Sequence, residues 1–247
     1  MNLAGLQNQM LKSYSSWLRE PYRDRTEDEF PFDASVGGFG GEEYWNDFGE
    51  AENPVIYSHG LGRTGADGRE ICLELLGNGY SGGELYAVTY GNFLPGLEEG
   101  AEQLDELVGE VLEHTGAEEV DIVGHSMGGT IPLYMMKEHG DGDIGTVISL
   151  GGPEKGSYWN EYLETWGIPA KDEISIESAR NGKLAGLDEH EFDATTVTVQ
   201  GTEDSAYPVR DPEERHIGQY QITLETTHEG LKHPKIVGEL GRQFLRN

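Results

Sequence analysis

Apolar positions along this 247-residue chain follow two periodicities. Leu3, Leu6, Met10, Tyr14, Trp17 and Leu18 recur every three or four residues, which predicts an amphipathic helix over residues 2–18, ended before Pro21. Residues 19–53 keep no period; they are acidic, then Gly-rich, with Phe30, Phe32, Phe39, Tyr44, Trp45 and Phe48 scattered through, and read as an irregular segment anchored by aromatics. From Pro54 the pattern becomes regular. Short apolar runs at Val55–Tyr57, Leu85–Thr89, Val120–Val123, Thr146–Leu150, Thr195–Val199 and Tyr220–Leu224 predict strands, and helical spacing returns at Ile71–Leu76, Leu97–Val111, Ile131–Lys137 and Leu231–Leu245. Strands alternating with helices predict an α/β domain with a mostly parallel sheet covered on both faces. Residues 153–190 break this rhythm, and their Tyr158, Trp159, Tyr162 and Trp166 make them the candidate lid. The expected organisation is one domain over 1–247, with an N-terminal helix and irregular segment over 1–53 and the alternating strand–helix core over 54–247.

Charge narrows the function classes. Asp and Glu number 46 against 17 Lys and Arg, a formal net charge of −29. Phosphate-backbone binding needs clustered cations, and no such cluster exists, so nucleic acid is not an expected partner. The acids are spread over the whole chain, as in proteins of salt-accumulating halophiles, because this much like charge repels itself strongly when unscreened. A single cysteine, Cys72, excludes an intrachain disulfide and a Cys-cluster metal site. No basic, then apolar leader and no 18-residue apolar stretch is visible. The expectation is a cytoplasmic protein without stable membrane insertion, or a secreted one if a signal was removed.

One pentapeptide carries chemistry. Gly124-His125-Ser126-Met127-Gly128 fits G-x-S-x-G, with a predicted strand leading in and a helix leading out. Glycines at the ends let the chain cross a tight strand-to-helix turn, which sets Ser126 at a helix N-terminus as the candidate nucleophile. A serine hydroxyl needs a base to take its proton and a carboxylate to orient that base. His228, in the loop between the last strand and the closing helix, is the candidate base. His190 and His216 sit in acidic stretches with no strand leading in, and His233 is placed inside the closing helix. Asp204, after strand Thr195–Val199, is the candidate acid, with Glu203 as its rival; Asp193 and Asp211 need a different strand assignment. The order Ser, Asp, His is that of an α/β-hydrolase. Backbone N–H groups of Leu61, in the loop after the first strand, and Met127 are the candidate oxyanion donors. His59 reads as loop architecture. No cofactor or metal site is predicted: the carboxylates are diffuse, and the glycines after Val55 have neither P-loop nor dinucleotide spacing.

The segments PVIYSHGLG, NGYSGGELYAVTYGN, VDIVGHSMGGT and GTEDSAYPV resemble the class 2 (bacterial and nematode) lipase family of α/β-hydrolases, over roughly residues 54–247. The resemblance implies an α/β-hydrolase fold and hydrolysis of a small-molecule or lipid carboxylic ester. Ser126, Asp204 and His228 would form the triad, with the loop around Leu61 as oxyanion hole. Storage polyesters, thioesters and amides are alternative substrates for the same triad, and a binding protein on a hydrolase scaffold is the alternative outside enzymes.

Overall fold

The computed structural model describes residues 49, 51–90, 96–157, 170–204 and 211–245. The predicted helix over 2–18 and the aromatics Tyr158, Trp159, Tyr162 and Trp166 lie outside these residues. The described chain builds one six-stranded sheet from β1 (Val55–Ser58), β2 (Leu85–Ala87), β3 (Val120–His125), β4 (Ile144–Leu150), β5 (Thr195–Gly201) and β6 (Tyr220–Leu224). Every ladder is parallel, and the spatial order is β2-β1-β3-β4-β5-β6. This is the parallel, helix-flanked sheet of an α/β-hydrolase.

Alternation along the strands decides which helices cover which face. Val55, Tyr57, Leu85, Val123, Ile148 and Val199 point to the face closed by α1 (Arg69–Gly77) and α6 (Pro234–Phe244). Ile56, Tyr86, Ile122 and Val147 point to the other face, closed by α2 (Leu97–Thr115) and α3 (Met127–His139). On α2, Leu97, Ala101, Leu104, Val108 and Val111 form the buried stripe, and Gly116 ends the helix in the left-handed conformation. Two short helices, α4 (Ala170–Glu173) and α5 (Ile176–Asn181), belong to the stretch read as a lid. Its described part contributes Ile174, Leu184 and Leu187 to the core beneath α2 and α3.

The closing helix differs from expectation. A short 3-10 turn over Glu229–Lys232 precedes α6, and His233 caps the helix, its Nδ1 accepting from the Lys235 N–H. Pro234 is the cause, since proline fits the first helical position and cannot continue a helix from before it.

The order of strands reverses direction between β1 and β3, the switch point where open parallel sheets hold their ligands at the carboxyl ends. Both the glycine loop after β1 and the turn after β3 emerge there.

Candidate active site

Ser126 is the only non-glycine residue with positive φ among the described residues, at φ 57° and ψ −130°. Such a conformation costs on the order of 1–3 kcal/mol and persists only where surroundings enforce it. Here the Ser126 N–H donates to the Leu150 carbonyl at 2.9 Å and its carbonyl accepts from Gly129 at 2.9 Å. The flanking glycines are a matter of space. A Cβ on Gly124 would lie 2.0 Å from the Gly128 carbonyl oxygen, and one on Gly128 would lie 2.2 Å from that of Ser58. Helix α3 therefore presses its first turn onto the ends of β1 and β3, with Ser126 at its mouth.

Asp204 and His228 meet. Nδ1 of His228 lies 2.8 Å from Oδ2 of Asp204, whose side chain is fully buried. Backbone bonds continue past the β5–β6 ladder to set this contact: Thr202 N–H donates to Leu224, and Glu203 N–H to Thr226. The same turn leaves Glu203 exposed and Asp204 buried, which separates the two rival acids. Gly151, at φ +65°, lies against the pair, and a Cβ there would stand 3.1 Å from His228 Nδ1 and 3.3 Å from Asp204 Oδ2. A side chain there would strain the backbone at this positive φ and press on the contact.

His125, the residue before Ser126, was not foreseen. Its ring packs on that of His228 with centroids 4.7 Å apart, and its Nε2 lies 3.0 Å from the His228 carbonyl oxygen. Nε2 must donate, so Nδ1 is unprotonated; it is buried without a hydrogen-bond partner among the described residues. Burial, with the Lys232 ammonium nearby, holds the His125 pKa well below the ordinary histidine value. The position inside G-x-S-x-G was its only sequence signal.

The glycine loop is held by His59. The Tyr90 N–H donates to His59 Nε2 at 3.3 Å, so Nδ1 carries the proton and donates to the Gly60 carbonyl at 2.8 Å. Burial lowers the His59 pKa to about 4, so the ring stays neutral. A trans peptide points its C=O and N–H in opposite directions. With the Gly60 carbonyl turned to His59 and to the Arg63 N–H, the Leu61 N–H faces the other way. Gly60 packs so closely on the turn that a Cβ would lie 2.9 Å from Ser126 Cβ. His59, Gly60, Leu61, Tyr90, Met127 and Ile131 line one shallow depression, on whose wall both Leu61 and Met127 stand.

A second buried acid lies behind the turn. Glu154 accepts from the Ser149 hydroxyl and, at 3.3 Å, from Gln200 Nε2. Burial pushes its pKa up to about 7. Of the other candidates, His216 bonds Thr198 and Thr223, and His190 packs on Phe192, so neither approaches Ser126.

Comparison with known proteins agrees with this architecture. Residues 52–161 match the family Lipase (class 2). The Bacillus licheniformis lipase BlEst2 in mature form superposes with a TM-score of 0.63 at 15% identity, over 80% of this chain and 94% of that one. Aspergillus fumigatus lipase B gives 0.58 at 14%, over 76% of this chain but 51% of its own. A predicted CIB-like hydrolase from Thermoplasma acidophilum gives 0.52 at 18%, over 80% and 88%. At such identities it is the superpositions that establish the shared fold. Among the described residues no helix is long and apolar enough to cross a membrane.

Proposed function

From a chain whose residues 52–161 match the class 2 lipases and whose sheet is that of an α/β-hydrolase, we propose that the protein is a serine hydrolase of carboxylic esters. The observation that carries the reading is the Asp204–His228 contact at 2.8 Å, with the His228 ring packed on His125, the residue that precedes a serine held at positive φ.

In this reading Ser126 Oγ attacks the acyl carbonyl while His228 Nε2 takes its proton. The carbonyl oxygen becomes an oxyanion received by the N–H groups of Leu61 and Met127. Asp204 stays ionised, fixes the tautomer with Nδ1 protonated, and stabilises the imidazolium. His228 then returns its proton to the leaving alkoxide as the carbon–oxygen bond breaks, leaving an acyl-Ser126 ester. Water, deprotonated by His228, attacks that ester; the acyl–Oγ bond breaks as His228 returns the proton to Ser126 Oγ, and the acid is released. Nε2 is the nitrogen left free for this work because Asp204 occupies Nδ1.

A fluorophosphonate probe with peptide mapping, run beside a p-nitrophenyl ester panel of increasing chain length in high salt, tests the reading. Labelling of Ser126 that abolishes ester turnover is expected. Absence of both labelling and turnover would return the chain to the class of binding proteins on a hydrolase scaffold.

A further inference from the structure

The two loops that the proposed reaction brings together leave the sheet far apart. One follows β1 and carries Leu61; the other follows β6 and carries His228. Three strands, β3, β4 and β5, separate β1 from β6, so no ladder bond ties these loops to each other. Side chains do. Lys232 Nζ donates to both carboxylate oxygens of Asp67, at 2.9 and 2.8 Å, and Tyr57, rising from β1, donates its hydroxyl to Asp67 Oδ2 at 2.9 Å. Arg63 adds a second bridge, reaching Glu229 at 3.3 Å, and Glu229 returns to Lys232 at 3.1 Å.

The inner and outer pairs differ in shelter. The side chains of Asp67 and Lys232 are each 14% exposed, whereas Glu229 is 58% exposed. Solvent screening removes most of the worth of an exposed pair and much less of a sheltered one carrying extra hydrogen bonds. The spacing is short on both sides: Lys232 lies four residues after His228, within the turn that leads from it, and Asp67 lies six after Leu61. A chain with 17 Lys and Arg places two of them in this one cluster.

We propose that Asp67 and Lys232 are positioning residues, whose ion pair clamps the loop bearing the Leu61 oxyanion donor to the loop bearing His228 and so fixes the donor relative to the base. The proposal rests on the serine-hydrolase reading. It touches neither substrate nor reacting atoms; it acts through where Leu61 and His228 stand. A donor displaced by about 1 Å loses much of its hold on a developing oxyanion, a loss that appears in kcat because the oxyanion exists only beyond the ground state.

The test compares p-nitrophenyl butyrate with its thiono counterpart, in which sulfur replaces the carbonyl oxygen and fits an oxyanion hole poorly. Wild type is expected to favour the oxygen ester strongly. Lys232→Met, which keeps the apolar stem, should lower kcat about tenfold with KM within twofold and shrink the oxygen-to-sulfur preference at least fivefold. Lys232→Arg should recover most of both. The double variant Asp67→Asn with Lys232→Met, which leaves no unpaired charge, should match the single variant and serves if Lys232→Met alone fails to fold. All rates are taken per fluorophosphonate-titrated site, so loss of folded protein does not count. An unchanged preference in the folded variants overturns the clamp while leaving the hydrolase reading intact. A wild type that is neither labelled nor active overturns the hydrolase reading itself.

Discussion

His125 Nε2 lies 3.0 Å from the carbonyl oxygen of His228, and the two rings pack 4.7 Å apart. The residue beside the proposed nucleophile thus holds the backbone of the proposed base. His125→Phe keeps a ring in the contact, loses the bond, and also removes the unpartnered Nδ1. Losing a hydrogen bond of about 1 kcal/mol from base positioning predicts a fall in kcat of about fivefold. Stability should change by less than about 1 kcal/mol, because an apolar ring replaces a buried polar atom without a partner. Ester kinetics and melting curves check both; unaltered kcat would show that the backbone of His228 needs no such support.

The second prediction ranks the acids. Asp204→Asn should lower kcat by about 10³–10⁴, since the amide no longer imposes the working tautomer. Glu203→Gln should stay within about twofold, because the side chain is exposed. Equal losses in the two variants would move the acid function off Asp204.

Sequence periodicity located the six strands of the described sheet and the covering helices: β1 to β5, buried on both faces, read as short apolar runs, and the largely exposed edge strand β6 as the alternation of Tyr220, Ile222 and Leu224. Ser126, Asp204 and His228 could be singled out because each lies within four residues after the end of a strand. His125, Gly151, Glu154 and the Asp67–Lys232 pair were hidden for one reason. Their roles depend on contacts between segments up to 165 residues apart, as for Lys232 and Asp67, and no local pattern encodes these. The break at His233–Pro234 was legible, since proline stops a helix from being continued through it, but the apolar spacing from Leu231 masked it.

Strain at Ser126 supplies a third prediction. Ser126→Ala should abolish turnover while keeping the strained backbone, whereas Ser126→Gly should also be inactive yet more stable than the alanine variant by about 1 kcal/mol. Glycine adopts φ 57°, ψ −130° far more readily than any residue with a Cβ. Equal melting temperatures of the two variants would show that the surroundings bear no strain there.

Buried groups set the fourth. His59 is held neutral down to about pH 4, so as pH falls below about 6.5 the unfolded chain takes up a proton that the folded chain refuses, and stability falls. Glu154 works in the opposite sense. Its folded pKa of about 7, against 4.5 when free, means the folded state keeps a proton that the unfolded state releases, so stability falls as pH rises from 4.5 to 7. Asp121, raised to about 7 by burial, adds to that slope. Glu154→Gln removes one such contribution. Relative to wild type, the variant should therefore gain about 3 kcal/mol between pH 4.5 and 8. Chemical denaturation at the two pH values measures it, and parallel stability curves would place Glu154 in an ordinary titration range.

The final prediction concerns salt, and the structure gives it a location. Helix α2 exposes Glu98, Glu99, Glu102, Asp105, Glu106, Glu110 and Glu113 along one solvent face, within a chain of net charge −29. One of these acids, Glu98, is paired with a cation, Lys183 at 2.8 Å, and Asp105 lies 3.2 Å from His139 Nδ1. Neighbours three and four positions apart on a helix repel when like-charged, by a few tenths of a kcal/mol for each pair. Summed over the surface, this is comparable with a domain stability of about 5–15 kcal/mol. The Debye length shrinks from roughly 10 Å at 0.1 M to roughly 3 Å at 1 M, so the repulsion is largely screened across that interval. Melting temperature and ester turnover should therefore rise together as KCl goes from 0.1 to about 2 M, by that same screening. Replacing Glu102, Glu106 and Glu113 by Gln should flatten the rise in melting temperature and leave kcat at 2 M KCl unaltered. An enzyme equally heat-stable and active at 0.1 M salt would show that the repulsion is already offset within the fold.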